Sequence, residues 1–222
     1  MHFRVKIRKD MVARPRSIRK SLALVLSISA LPIGLVVIAS SWKEIPFSLL
    51  MRDVGTIGHL PFYAGFLSQI GLFVWVAALS VTLFTSLQLR ERRPTPGLLS
   101  FMLASSALTF LLLLDDAFLL HESVYPSFGI PEKLVYLAYL GMVGAYLSIF
   151  WRTILRTEFI YLLLAFLFLG LSMTLDAVNT TAINPYLLED GLKFVGLVSW
   201  MIYFWNVAGS EWLHPVDHSS IR

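Results

Sequence analysis

Six long apolar runs leave this chain few folds to choose from. Residues 21–41, 62–89, 97–120, 134–151, 159–178 and 185–206 each approach or exceed the stretch of about 20 residues that an α-helix needs to cross a bilayer. Backbone amides in hydrocarbon find no water, so a spanning segment must bond them internally. Runs this long and uniformly apolar do so as helices. Composition agrees: only 14% of the 222 residues are charged, against roughly 25% in soluble domains. The expected fold is an all-α, polytopic membrane helix bundle of six transmembrane helices. Residues 1–20 would be a basic arm, 21–209 the transmembrane domain and 210–222 a short tail. With no cysteine, disulfides, thiolate nucleophiles, Cys-ligated zinc and iron–sulfur clusters are excluded.

Charge sets the topology. Arg4, Lys6, Arg8, Lys9, Arg14, Arg16, Arg19 and Lys20 precede the first run, opposed by Asp10 alone. Beside an apolar span, such an arm reads as a cytoplasmic anchor and not as a nucleic-acid contact. Run 21–41 is also too long for a signal-peptide core. With the N-terminus inside, Arg90, Arg92, Arg93, Arg152, Arg156 and Arg222 join those eight, so that 14 of the 18 basic residues are cytoplasmic. The opposite side holds nine of the 14 acids. Both termini are therefore expected in the cytoplasm, and the chain in a plasma membrane of bacterial type or another energised membrane.

Punctuation between the runs is consistent with helices. Arg90 to Pro96 is a charged, proline-containing break, and Pro131-Glu132 and Asn184-Pro185 carry helix-start signals for the fourth and sixth runs. Asn184 is a candidate N-cap. Asn179-Thr180-Thr181 matches a three-residue glycosylation signal.

Chemistry should concentrate where acids interrupt these helices. Asp115 and Asp116 sit between Leu111-Leu112-Leu113-Leu114 and Ala117-Phe118-Leu119-Leu120, followed by His121 and Glu122. Intramembrane charge is expensive unless it meets a partner, a cavity or a metal. At the helical rise, Asp115 lies about 33 Å from Arg93, Asp176 about 30 Å from Arg156 and Asp190 about 31 Å from Glu211. Three helices thus bring acids to one level near the outer hydrocarbon boundary. If the third helix continues, Asp115 and Glu122 share a face while Asp116 points about 100° away. His121 either folds back over the site or meets water. Ser172, Asp176, Asn179 and Thr180 share a face of the fifth helix. On the sixth, Glu189 and Asp190 are spaced to pair with Lys193, followed by Gly196 and Trp200 as a close-packing point and an aromatic wall.

Several carboxylates at one depth require protons, a cationic partner or a bound cation. The first function class is metal-assisted hydrolysis or transfer on a lipid-like substrate. Asp115, Asp116, His121, Glu122 and Asp176 would be metal ligands. Asp115, Asp116, Glu122 and Lys193 would be the catalytic groups, and Asp176, Glu189, Asp190 and Trp200 would bind substrate. The cofactor would be a divalent metal ion. The second class is an accessory or assembly subunit using polar groups as interhelical glue towards a membrane-protein partner. The third is a proton- or cation-coupled transporter or channel. Opposing all three, acids near an interface are ordinary helix-end charges, the reading given to Glu132, Glu158 and Glu211. Trp42, Tyr125, Tyr136 and Tyr186 would line the outer interfacial belt.

Ser106, Asp115, Asp116 and Asp176 resemble ligand residue types of the alkaline-ceramidase-like membrane hydrolases. Lys193, Gly196 and Trp200 stand where that superfamily has histidine ligands, so its zinc and activity do not transfer. The ensemble of Asp115-Asp116, His121-Glu122, Leu175-Asp176-Ala177-Val178 and Glu189-Asp190-Gly191-Leu192-Lys193-Phe194 resembles an uncharacterised family of bacterial multipass proteins. That resemblance spans about 62–208 and implies a common fold.

Overall fold

A computed structural model describes residues 15–91, 97–178 and 184–213. Among them the chain is helical: α1 (Pro15–Lys43), α2 (Phe47–Met51), α3 (Val54–Ile57), α4 (Phe66–Glu91), α5 (Leu98–Phe118), α6 (Tyr125–Ser127), α7 (Glu132–Ile154), α8 (Ile160–Val178) and α9 (Pro185–Leu213). A π-helical turn, Leu120–Val124, precedes α6. Among the described residues, five helices are long and apolar enough to cross a membrane: Leu22–Lys43, Phe66–Glu91, Leu98–Phe118, Glu132–Ile154 and Tyr186–Ser210. The run expected to form the fifth of six spans supplies a shorter apolar stretch, Ile160–Asp176. Asn184 caps α9 as its sequence position suggests, its Oδ1 accepting the Leu187 N–H at 3.2 Å. The basic arm up to Arg14, Arg92 and Arg93, the Asn179-Thr180-Thr181 signal and the tail from His214 lie outside the described residues.

Two compact units divide between Ala64 and Gly65. In the first, no residue in the most apolar window of α1 is buried; Leu24, Val25, Leu26 and Ile38, which face different ways round the helix, are all exposed. Lipid is the solvent that suits such a surface. Asp53 caps the short α3 by accepting the Thr56 N–H at 2.7 Å.

In the second unit α9 lies between α4 and α8, and α5 packs on both α4 and α7. The core is aromatic. Trp200, Tyr203 and Phe204 of α9 and Phe101 of α5 are fully buried, with Phe101 and Tyr203 edge to face at 6.4 Å. Between lipid-grade helices burial gains little from water exclusion, so close packing and interhelical hydrogen bonds must hold the bundle. Both are present. Ser105 Oγ donates to the Phe101 carbonyl at 2.7 Å and lies 2.7 Å from the Tyr146 hydroxyl of α7. The Trp200 indole donates to Thr109 Oγ1 at 3.0 Å.

Close packing has its tightest point at Gly196. A β-carbon there would stand 2.8 Å from Leu169 Cγ and 3.0 Å from the Leu169 backbone nitrogen. A rotamer change alone does not relieve a backbone clash, and overpacking of this kind costs about 1–3 kcal/mol. Gly196→Ala is therefore expected to lower the unfolding midpoint in detergent by roughly 5 °C. Gly141→Ala, where the new carbon meets nothing within 4 Å, should not lower it and gains from the higher helix propensity of alanine.

Candidate functional site

The third span does not continue to Glu122. α5 stops at Phe118, and Leu119 takes the left-handed conformation with φ 51° and ψ 47°, which costs a β-carbon-bearing residue about 1–2 kcal/mol. Its N–H bonds to the Asp115 carbonyl, and the π-helical turn then carries the chain back over the helix end. The reversal brings His121, not Glu122, to Asp115. The His121 backbone N–H donates to Asp115 Oδ1 at 2.9 Å, and its ring Nδ1 lies 2.6 Å from Oδ2. Glu122 is left exposed, so the face expected to be shared by Asp115 and Glu122 does not form.

Asp115 is buried and accepts a further bond from the Tyr139 hydroxyl of α7 at 2.7 Å. The carboxylate holds the His121 imidazole above its ordinary titration range, mainly through their hydrogen bond and against the opposing effect of burial. With Nδ1 engaged by Asp115, Nε2 is the ring nitrogen free to act elsewhere.

One helical turn along α7, Tyr136 lies between two acids. Its hydroxyl bonds to Asp176 of α8 and, at 3.0 Å, to Glu132 Oε1. A phenol has one proton to donate. At any moment only one of the two carboxylates receives it, and the other faces the oxygen's lone pairs. The His121 ring stacks obliquely beside it, 5.4 Å from the Tyr136 ring. Together His121, Glu132 and Asp176 each offer a ligand atom within 4.8 Å of the others, all half-buried. One imidazole and two carboxylates form a donor set suited to a divalent transition ion. Three protein ligands leave room for water or substrate.

Asp116 turns the other way, as its 100° offset requires, and pairs with Lys193 of α9. Its side chain is 9% exposed against 35% for the lysine, so the acid depends on the pair more than its partner does. Lys193→Met strands that charge and is expected to cost up to about 3 kcal/mol. Adding Asp116→Asn should restore most of the loss, read as detergent unfolding midpoints of the two variants.

All of these groups except Glu132 line one cavity of about 130 Å³. Asp115, Asp116, His121, Asp176, Glu189 and Lys193 supply its charged lining; Tyr136, Tyr139 and Ser172 its hydroxyls; Trp75, Leu112, Leu169 and Met173 its apolar wall. Asp190 instead lines a neighbouring cleft of about 20 Å³ with Asp116 and Lys193. Trp200, read from sequence as the aromatic wall, is fully buried and is not among the residues lining the cavity. Trp75 of α4, edge to face with it at 6.1 Å, takes that place. Asp115, Asp116 and Glu122, expected as ligands, lie outside the gathered triad; Asp115 orients His121 and Asp116 binds Lys193.

Four contributors escaped sequence reasoning. Glu132 was read as a helix-end charge and Tyr136 as part of an interfacial belt; Tyr139 and Trp75 carried no charge to mark them. A signal did exist, because Glu132, Tyr136 and Tyr139 follow at helical spacing in the first two turns of α7, level with the acids.

No curated protein and no solved structure matches the chain. The model of a family described as a domain of unknown function (DUF8692) matches residues 22–207, from the start of the apolar part of α1 nearly to the end of α9. On that extent of match, the chain belongs to the DUF8692 family.

Proposed function

We propose that this is an integral membrane protein that binds a divalent cation through His121, Glu132 and Asp176 and uses it for hydrolysis or group transfer on a lipid-like substrate. The observation that carries this reading is the convergence of those ligand atoms within 4.8 Å, with His121 and Asp176 lining a cavity walled by both apolar and charged side chains. When bound, such an ion supplies Lewis-acid polarisation of a carbonyl or phosphoryl oxygen. The chain's own groups hold and orient. Asp115 fixes the His121 ring so that Nε2 is the free nitrogen, the arrangement by which outer carboxylates tune histidine ligands. Asp116 and Lys193 neutralise one another at the rim, and Glu189 adds negative charge to the same cavity.

In this reading α8 is a sixth span: its 19 residues rise about 28 Å, close to the thickness of a hydrocarbon core. Both termini then face the cytoplasm, as the basic residues favour, and the cavity opens on the extracytoplasmic side. A bacterial-type plasma membrane suits that orientation.

Purified protein in vesicles of ester-, amide- and phosphate-linked lipids tests the activity, with products followed by mass spectrometry. Turnover should disappear with EDTA, return with Mn(II) or Zn(II), and fall in Asp176→Asn by more than the roughly 10–100-fold typical of outer-shell partners. Stoichiometric ion binding with no turnover of any of the three linkages would defeat the enzymatic reading and leave the cation site.

A further inference from the structure

A serine inside a helix can satisfy its hydroxyl on the carbonyl one turn back. Ser86, Ser105 and Ser106 do so at 2.7, 2.7 and 2.8 Å, and Thr174 of α8 does the same at 2.7 Å. Ser172 is different. It is 5% exposed, yet among the described residues its hydroxyl has no hydrogen-bond partner. Nor is that hydroxyl closed in. The one enclosed side-chain nitrogen or oxygen without a partner among the described residues is Trp75 Nε1, so Ser172 Oγ keeps open surface. That surface belongs to the cavity, which Ser172 lines with Leu169, Met173 and Asp176 of the same helix face.

Other donors on the lining are committed. Tyr139 donates to Asp115 at 2.7 Å, Tyr136 bonds to Glu132 and Asp176, and Lys193 pairs with Asp116. His121 Nε2 belongs to the cation site, and the Trp75 nitrogen is out of reach. Among the described residues, the free hydroxyl proton of this cavity is therefore that of Ser172. Its position is also informative. Ser172 lies one turn before Asp176, about 6 Å along α8, and one turn after the apolar Leu169. Charge adds a further constraint, since Asp115, Asp116, Asp176 and Glu189 face only Lys193 and His121 on the lining. Such a surplus of carboxylates disfavours an anionic phosphate.

We propose that Ser172 Oγ–H is a ligand-binding donor for an uncharged carbonyl oxygen, that of an ester or amide flanked by hydrocarbon. A carbonyl oxygen only accepts, so it suits a free donor placed among carboxylates. Hydrocarbon next to the linkage would lie against Leu112, Leu169 and Met173. This narrows the lipid-like substrate to acyl esters and amides. It rests on the reading of the cavity as the substrate site but does not need the cation.

The test uses the full chain in detergent, with EDTA present to prevent turnover. Four probes of equal carbon count are titrated: hexyl hexanoate, N-hexylhexanamide, dihexyl ether and dihexyl phosphate. For whichever carbonyl probe is recognised, its affinity relative to dihexyl ether should be about fivefold higher in the wild type than in Ser172→Ala, the scale of one hydrogen bond. Detergent partitioning is common to both proteins and cancels. With that probe ¹³C-labelled at the carbonyl, isotope-edited infrared spectra should show a lower stretching frequency in the wild type than in Ser172→Ala. Should Ser172→Ala fail to fold, the wild-type ratio corrected for partitioning into empty micelles still decides. Equal ratios in the two proteins for both carbonyl probes, or tightest binding of dihexyl phosphate, overturns the proposal. Ser172 is outside the gathered ligands, so Zn(II) uptake by Ser172→Ala should match the wild type. Unchanged uptake beside equal ratios rejects this inference and leaves the cation site standing.

Discussion

Asp176→Asn is expected to lower affinity for a divalent transition ion by more than about a hundredfold, and His121→Ala to do the same. Each removes one of three gathered ligand groups, a larger loss than the 10–100-fold typical of outer-shell partners. Asn is nearly isosteric with Asp and its amide oxygen still accepts the Tyr136 hydroxyl, so the fold is spared while the charge is removed. Affinity is read by isothermal titration of EDTA-stripped protein with Zn(II) or Mn(II). Glu122→Gln serves as the comparison: Glu122 is exposed and outside the triad, so its variant should bind like the wild type. If Glu122→Gln loses the ion and Asp176→Asn keeps it, the ligand assignment is wrong.

Asp115→Asn should weaken ion binding by about 10–100-fold although Asp115 is not one of the gathered ligands. Three donors point at its two oxygens: the His121 backbone N–H, the His121 ring and the Tyr139 hydroxyl. Asn retains one oxygen. With its amide nitrogen towards the ring, it donates to Nδ1 and drives the imidazole proton onto Nε2, the nitrogen needed for the ion. Flipped, the nitrogen faces the His121 backbone N–H, donor against donor, and the tyrosine hydroxyl must turn to accept. Neither arrangement reproduces the wild-type site. Tyr139→Phe removes only one of the three donors and should weaken binding far less than Asp115→Asn does, a difference the same titration resolves.

How much of this was legible beforehand varies with the physics involved. Helix positions follow directly from apolar runs and their breaks, as Asn184-Pro185 and Pro131-Glu132 illustrate at the starts of α9 and α7. Depth counting brings Asp115 and Asp176 to one cavity, because rise per residue is fixed, while Asp190, the third acid counted, lines the neighbouring cleft. It fails for Glu122, since the left-handed turn at Leu119 has no glycine to announce it. Pro126 signals that a regular helix must be disturbed nearby but not where. Partner choice was equally hidden. Helical spacing favours Glu189 or Asp190 for Lys193, yet the lysine pairs with Asp116 across the interface, where burial leaves the acid more dependent on a counter-charge. Uncharged contributors were the largest omission. Tyr136 and Tyr139 matter through single hydrogen-bonding atoms, and only the packing of α5, α7 and α8 shows where those atoms go.

The central claim, a cation held by His121, Glu132 and Asp176, is tested most directly by electron paramagnetic resonance of untagged, EDTA-stripped protein titrated with Mn(II). The account predicts one ion per chain, with electron spin-echo modulation from a single imidazole nitrogen. The chain has five histidines, so that modulation must vanish in His121→Ala to identify its source. No stoichiometric uptake, or an ion bound with no imidazole coupling, would contradict it.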